Sequence, residues 1–234
     1  MITVYPDANR YRSQQTWLTF DPSAAARTET GAFDVIEQLT EHRLAPGESI
    51  QGRSQQPCEL LTYVCEGGLQ FEQSVGRTRA LHAGEFHRAC GEAGLSHGEC
   101  RAASNAAARI FQIALRLSAG PIDHRNEFKV FTVAQRRDVP RLVASPSERE
   151  DALRLQQNVR VFSVNLLPGR HLVHALGTAR SLWVHVVDGS GVLHGTKVAA
   201  GDGAGLTGMP SLSFTATTAS ELLFIEFGGR ADVD

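Results

Sequence analysis

The chain has 234 residues, 42% of them hydrophobic, and a formal net charge of −2 from 23 basic and 25 acidic side chains. It can therefore bury one large or two ordinary cores, and with no long run of either sign it lacks the electrostatic footprint that nucleic acid or an anionic membrane demands. No apolar segment reaches the ~18 to 20 residues that span a bilayer, and the start MITVYPDANRYRSQQ has no basic stretch followed by an apolar one, so the expectation is a soluble, cytoplasmic protein without nucleic-acid or membrane partners. The four cysteines, Cys58, Cys65, Cys90 and Cys100, form no CxxC pair and read as reduced, mostly buried thiols.

In chain order the predicted elements are strands. FDVIEQLTEHRL (Phe33 to Leu44), LLTYVCEG (Leu60 to Gly67), LQFEQSV (Leu69 to Val75) and ARIFQIALRL (Ala108 to Leu117) are rich in Val, Leu, Phe and Thr. Several alternate apolar and polar residues, which gives one buried and one solvated face. VGRTRALHAGEFHRA carries turns at Gly76 and at Ala83-Gly84 and reads as a hairpin followed by a strand. Short strands separated by turns at this spacing point to sandwiches or barrels.

From Ser118 to Gln157 the chain becomes more charged, and SPSEREDAL places Ser, Pro and acidic residues as at a helix or turn start. That passage divides the expected organisation into an N-terminal domain over 1–120, a connection over 121–150 and a C-terminal domain over 151–234. Strands resume with VRVFSVNLL (Val159 to Leu167), SLWVHVVDGSGVLHG (Ser181 to Gly195), GAGLTG, SLSFTA and SELLFIEF (Ser220 to Phe227). Three turns echo across the halves in the same order: LAPGESI with LLPGRHL, YVCEGGLQF with HVVDGSGVL, and LHAGEF with VAAGDGA. The matched order predicts a duplicated β-barrel unit.

The succession PGESIQGRSQQPCELLTYVCEGG (Pro46 to Gly68), HAGEFHRACGEAGLSHGE and FQIALRL, continued by WVHVVDGSGVLHG and LLFIEF, resembles the pirin family over most of the chain. The resemblance implies an all-β bicupin, two jelly-roll barrels in one chain. It further implies a mononuclear metal in the first barrel held by three His and one Glu, with quercetin 2,3-dioxygenase activity in some members and a nuclear regulatory role in animal ones. Residue by residue the ligand pattern departs from the family. Where the family has His-Pro-His-Arg-Asp-Met-Glu, this chain has Arg53-Ser54-Gln55-Gln56-Pro57-Cys58-Glu59, so Arg53 and Gln55 replace two histidines, while His97 and Glu99 keep the other pair. Glu59 stands where the family also has Glu, either facing the cavity or ending the strand.

Residues two apart on a strand share a side, so Arg53 with Gln55 and His97 with Glu99 can each project a pair into the barrel. A guanidinium stays protonated and has no lone pair for a metal, and Gln55 offers only a weak amide oxygen. Besides an arrangement unrelated to these, in which the four positions do not converge, and with Arg53 able to point to solvent from a loop, two arrangements are open. In one, Arg53 takes the place of the metal and binds Glu99 through parallel hydrogen bonds; in the other, Gln55, His97 and Glu99 hold a water or a weakly bound Fe, Ni, Mn or Zn. Other histidines are read as structural: His82 and His87 flank the Gly84 turn, His171 and His174 lack a matching downstream carboxylate motif, and His185 and His194 are taken for exposed strand positions.

The leading functional reading is a bicupin with a degenerate metal site that binds a small polar or anionic molecule through Arg53, Gln55, His97, Glu99 and Glu59. In that reading no cofactor is required and dioxygenase activity is weak or absent. The alternatives are a metal-dependent quercetin 2,3-dioxygenase-like enzyme, with Glu99 as catalytic base, and an interaction module whose protein partner the sequence does not identify.

Overall fold

The computed structural model describes residues 1–12, 16–20, 33–50, 57–74, 77–91, 100–117, 120–147, 151–177 and 180–228. In chain order, β1 (Ile2–Tyr5) is followed by β2 (Tyr11–Arg12), β3 (Thr16–Phe20), β4 (Ile36–Leu44), β5 (Cys58–Glu66), β6 (Gly68–Ser74), β7 (Arg77–His82), β8 (Glu85–Gly91), β9 (Cys100–Ala102), β10 (Ala108–Arg116) and β11 (Glu127–Val130). Beyond a 3-10 turn at Ala134–Arg136 come β12 (Arg141–Ser145), β13 (Leu153–Arg154), β14 (Val159–Leu166), β15 (His171–Ala175), β16 (Ser181–Asp188), β17 (Ser190–Leu193), β18 (Thr196–Ala199), β19 (Gly203–Leu206), β20 (Ser211–Ala216) and β21 (Ser220–Phe227). The predicted all-β class holds, and no helix among the described residues is long and apolar enough to cross a membrane.

The strands form two units. In the first, β11-β8-β5-β10-β4-β3-β2 make one sheet and β7-β6-β9 a smaller one. Between them lies an apolar core that includes Leu44, Val64, Leu69, Phe71, Leu81, Cys100 and Ile110. In the second, β1-β19-β16-β21-β14-β12-β13 face β15-β20-β17-β18, around a core that includes Val164, Leu172, Val186, Leu193, Leu212, Phe214, Leu222 and Phe224. Each such side chain taken out of water contributes roughly 1.5 to 3 kcal/mol, which is what closes two short-stranded sheets on each other.

The bounds of the units differ from those expected at 1–120 and 151–234. β1 pairs with β19 and so belongs to the second unit, while β11 and β12, both inside the expected connection, are strands of the first and second sheets. Charged residues made that passage look like a linker. β11 is an edge strand and only partly buried, which suits such residues, whereas in β12 consecutive Val143, Ala144 and Ser145 are fully buried and the charge sits at its start, on Arg141.

Duplication is visible in the backbone. The three echoed turns place glycine at the same left-handed φ in each copy: Gly47 and Gly169 at +74° and +79°, Gly67 and Gly189 at +72° and +79°, Gly84 and Gly201 at +90° and +92°. Their hydrogen bonds match as well. Ala102 N donates to Glu48 O as Ala216 N does to Arg170 O, and Gly84 N donates to Val64 O as Gly201 N does to Val186 O. At Gly67 a Cβ would lie 2.0 Å from the Ala107 carbonyl oxygen, and at Gly189 2.1 Å from that of Ala219. A side chain is excluded at both by the same backbone approach.

Candidate functional site

Arg53, Gln55, His97 and Glu99 lie outside the described residues, and the Arg53–Glu99 pairing with them. Glu59 is described, and it does not face the barrel interior. On β5, Val64 packs into the apolar core, and Thr62 and Leu60 share its side by the two-residue period; Glu59 points the other way and is fully buried. Its carboxylate accepts from Arg88 Nε at 2.8 Å and lies 3.4 Å from the Cys90 thiol. Arg88, also fully buried, donates through Nη1 to the carbonyls of Asp123 and Arg125 at 3.2 and 3.1 Å. Burial, and next the Glu59 charge, push the Cys90 thiol far up, so it is no nucleophile. A hydrogen bond from the Arg125 guanidinium holds the Asp123 carboxyl well below the usual range. Glu59 is thus a buried carboxylate paired with a buried guanidinium, on the outer face of the sheet.

The inner face of the same sheet carries a row of side chains that sequence reasoning assigned to no site. Strand register aligns Phe128, His87, Thr62, Gln112, Thr40 and Leu18 across β11, β8, β5, β10, β4 and β3. The four central residues of this row are polar and all are buried. Gln112 Nε2 donates to Thr62 Oγ1 at 3.1 Å, and Thr40 Oγ1 lies 3.2 Å from Nε2 of buried His42, whose Nδ1 meets Thr16 Oγ1 at 3.0 Å. His87 Nε2 donates to Asn126 Oδ1 at 2.9 Å while its ring stacks on Phe128, 4.4 Å between centroids. Burial is the main force lowering its pKa to about 4; the charges of Arg79 and Arg88 add to that and the Asn126 bond opposes it. His87 is therefore neutral at pH 7.

Such an interior offers hydrogen-bond donors and acceptors and two imidazoles. Among the described residues no group of three or more His, Cys, Asp or Glu converges as a metal site. The four positions carried over from the family do not fit a three-His, one-Glu set either: Arg53 has no lone pair to give and Gln55 only an amide oxygen.

The signal for this row was present in EQLTEHRL. Gln38, Thr40 and His42 recur at the strand period, but alternation was read as a solvated polar face, whereas Thr40 and His42 face inward. His87, structural beside the Gly84 turn by sequence, is buried in the interior. Among the other histidines, His82 is exposed and His171 lies on an exposed strand position beside Thr215 Oγ1. His185 is buried rather than exposed, because both faces of β16 are covered, and half-buried His194 accepts from Ser213 N at 3.0 Å. His174 does have a carboxylate partner, Glu226, supplied by β21 rather than by the downstream motif.

In the second unit the equivalent row, counted from the matched turns, is Val4, Ala204, Val184, Phe224, Phe162 and Leu142 across β1, β19, β16, β21, β14 and β12. It contains no polar side chain.

Two closed sandwiches of repeated plan, each with a large and a small sheet, define a bicupin. The Pirin family model matches residues 6–115, and the model described as Quercetinase C-terminal cupin domain matches 142–227. By both halves the chain belongs to the pirin family, as a pirin-like bicupin. It is 26% identical over 211 residues, 90% of each chain, to a quercetin 2,3-dioxygenase of Escherichia coli K12, and 25% identical over 195 residues to a pirin-like protein of Caulobacter vibrioides, covering 83% of this chain and 84% of that one. Among solved structures, the bacterial pirin YhhW of Escherichia coli in complex with nickel(II) superposes with a TM-score of 0.81 at 24% identity over 98% of this chain and 100% of that one. A quercetin 2,3-dioxygenase from Acinetobacter baumannii gives 0.70 at 12% identity, over 97% and 85%.

Proposed function

We propose that the first barrel binds a small polar or anionic molecule and that its metal site is degenerate, leaving dioxygenase activity weak or absent. The observation that carries this reading is the polar row His87, Thr62, Gln112 and Thr40, which is apolar at every equivalent position of the second barrel. Buried polar groups are costly to keep, and a barrel that only needed stability would fill with Val and Phe as its partner does. Around the ligand we place Arg53, Gln55, His97 and Glu99, with Arg53 supplying the fixed positive charge for an anionic group. Glu59, held by Arg88, is left out of the binding set. The reading includes a cytoplasmic protein without nucleic-acid or membrane partners, in keeping with its near-balanced charge.

The second reading is a metal-dependent oxidoreductase of the quercetin 2,3-dioxygenase type, favoured by the name of the Escherichia coli relative and by the nickel in the similar pirin structure. Consumption of quercetin in air decides between them, using protein prepared with iron, nickel, manganese and zinc in turn. No consumption above the protein-free blank is the expected result. Turnover that disappears in Glu99→Ala would put the oxidoreductase first, with Glu99 as the base.

A further inference from the structure

The small sheet of the second barrel, β15-β20-β17-β18, ends on β15, which pairs with β20 and with no other strand among the described residues. Two bonds that bracket the pair fix the phase of its ladder: Ala216 N donates to Arg170 O, and Leu176 N donates to Pro210 O. Hydrogen-bonded positions recur every second residue, so Leu172 and His174 direct their backbone groups at Phe214 and Leu212. The far side of β20 agrees, since Ser213 O accepts from His194 N and so turns away from β15. His171, Val173 and Ala175 therefore aim their N–H and C=O groups out of the sheet at its open edge.

Proteins ordinarily blunt such edges with charge, proline or shortness. The other edges of the described sheets follow that rule. β2 and β13 have two residues each and β9 has three; β7 carries Arg77 and Arg79, β11 carries Glu127 and Lys129, and β18 carries Lys197. β1, four residues long, starts beside the Met1 ammonium, which donates to Thr207 O. β15 departs from it: its five residues, HLVHA, include no Asp, Glu, Lys, Arg, Pro or Gly. Its outer side chains His171 and Ala175 are exposed, and Val173 leaves 61% of its surface in solvent. An apolar β-branched residue at the centre of an unpaired edge favours the addition of another strand.

We propose that β15 is a self-association edge, pairing antiparallel with β15 of a second copy of this chain about a two-fold axis at Val173. A two-fold sets each strand against its own reverse, so Val173 faces Val173 of the second copy, His171 faces Ala175, and Leu172 faces His174. In that register every outward N–H of one strand meets an outward C=O of the other, and no like-charged Lys, Arg, Asp or Glu pair is brought together. Charge is what decides the occupant: an edge without it is complementary to itself, whereas the arginines of β7 would face one another across the same axis. A five-residue strand is too short to bury the ~800 Å² per partner of a standard interface, so the pairing is weak and depends on concentration.

The test is sedimentation velocity of the full chain from micromolar to millimolar concentration, with amide exchange followed by NMR at both ends of that range. The sedimentation coefficient should rise from monomer towards dimer, and the Val173 N–H should gain protection with concentration, while those of Leu172 and His174, already bonded to β20, are protected throughout. Val173→Pro removes the outward N–H and no bond to β20, a substitution that edge strands accept, and should raise the dimer dissociation constant about tenfold or more. Should it not fold, Val173→Lys serves, because it sets two ammonium groups against each other at the axis. Val139→Lys changes an equally exposed valine outside the strand and should leave the constant in place. A chain that stays monomeric at every concentration overturns the proposal and leaves the edge to an extended segment of a different protein. So does association that survives Val173→Pro and Val173→Lys unchanged, or that Val139→Lys weakens as much.

Discussion

In each large sheet one row of inward side chains crosses six strands at the same register, and the two rows differ in chemistry. His87, Thr62, Gln112 and Thr40 in the first barrel stand where Ala204, Val184, Phe224 and Phe162 stand in the second. The turns around them are alike to within a few degrees of φ and a few tenths of an ångström in hydrogen-bond length. The difference teaches that the framework is specified by glycine turns and apolar layers, which both barrels have, and that the interior row is free to vary on top of it. The second barrel uses this freedom for packing, while the first keeps a hydrogen-bonding interior at a cost in stability.

Substitutions that exchange or remove the differing features should separate the barrels by effect size. The largest effect belongs to Arg88→Ala, which leaves Glu59 charged in a fully buried site and should cost about 3 to 5 kcal/mol in chemical denaturation. A cost under about 1 kcal/mol would mean that Glu59 is neutralised in some other way.

Next is the pH response of His87. Its folded-state pKa, about 4, lies below the ordinary 6.5, so the unfolded chain takes up the proton first as pH falls. Stability is complete above about pH 6.5, declines between 6.5 and 4, and the loss, on the order of 3 kcal/mol, is complete below that. His87→Ala, copying Ala204 of the second barrel, should flatten that part of the denaturation-midpoint profile; an unchanged profile would assign the slope to other groups.

Thr62→Val copies Val184 and keeps the shape but leaves Gln112 Nε2 without its acceptor, for about 1 to 3 kcal/mol; the reverse exchange, Val184→Thr, buries a hydroxyl in an apolar row and should cost a similar roughly 1 to 3 kcal/mol. If both prove neutral in urea titration, the row is not a determinant of the difference. The smallest effect is shared. Gly47→Ala and Gly169→Ala meet no atom within 4 Å, so each should cost only the backbone term, about 1 to 2 kcal/mol, and equally in the two barrels.

Much of the fold was legible because strands announce themselves by composition and glycine by position. The predicted strand at Leu60 to Gly67 is β5, that at Ala108 to Leu117 is β10, and the echoed turns share their φ values. The outer strands were not legible: β1 and β11 are short and charged or half-exposed, and which sheet they join depends on contacts far away in sequence. For the site, the residue chemistry at Arg53 and Gln55 could be read but not their surroundings. Glu59 was misplaced because a carboxylate at a strand start was given a cavity role, when the strand period puts it with Leu61 and Tyr63 on the other face. The polar row escaped because inward Thr, Gln and His look like a solvated face until the pairing register shows which side is inside.

The claim that the first barrel works without the family's full metal set is tested most directly by elemental analysis of protein expressed with iron, nickel, manganese and zinc separately, as wild type and as Arg53→His/Gln55→His. The expected result is metal well below stoichiometric in the wild type and a stoichiometric gain in the double variant, which restores imidazole nitrogens at both positions. Stoichiometric metal in the wild type, lost on Glu99→Ala, would contradict the account and make Gln55, His97 and Glu99 a sufficient ligand set.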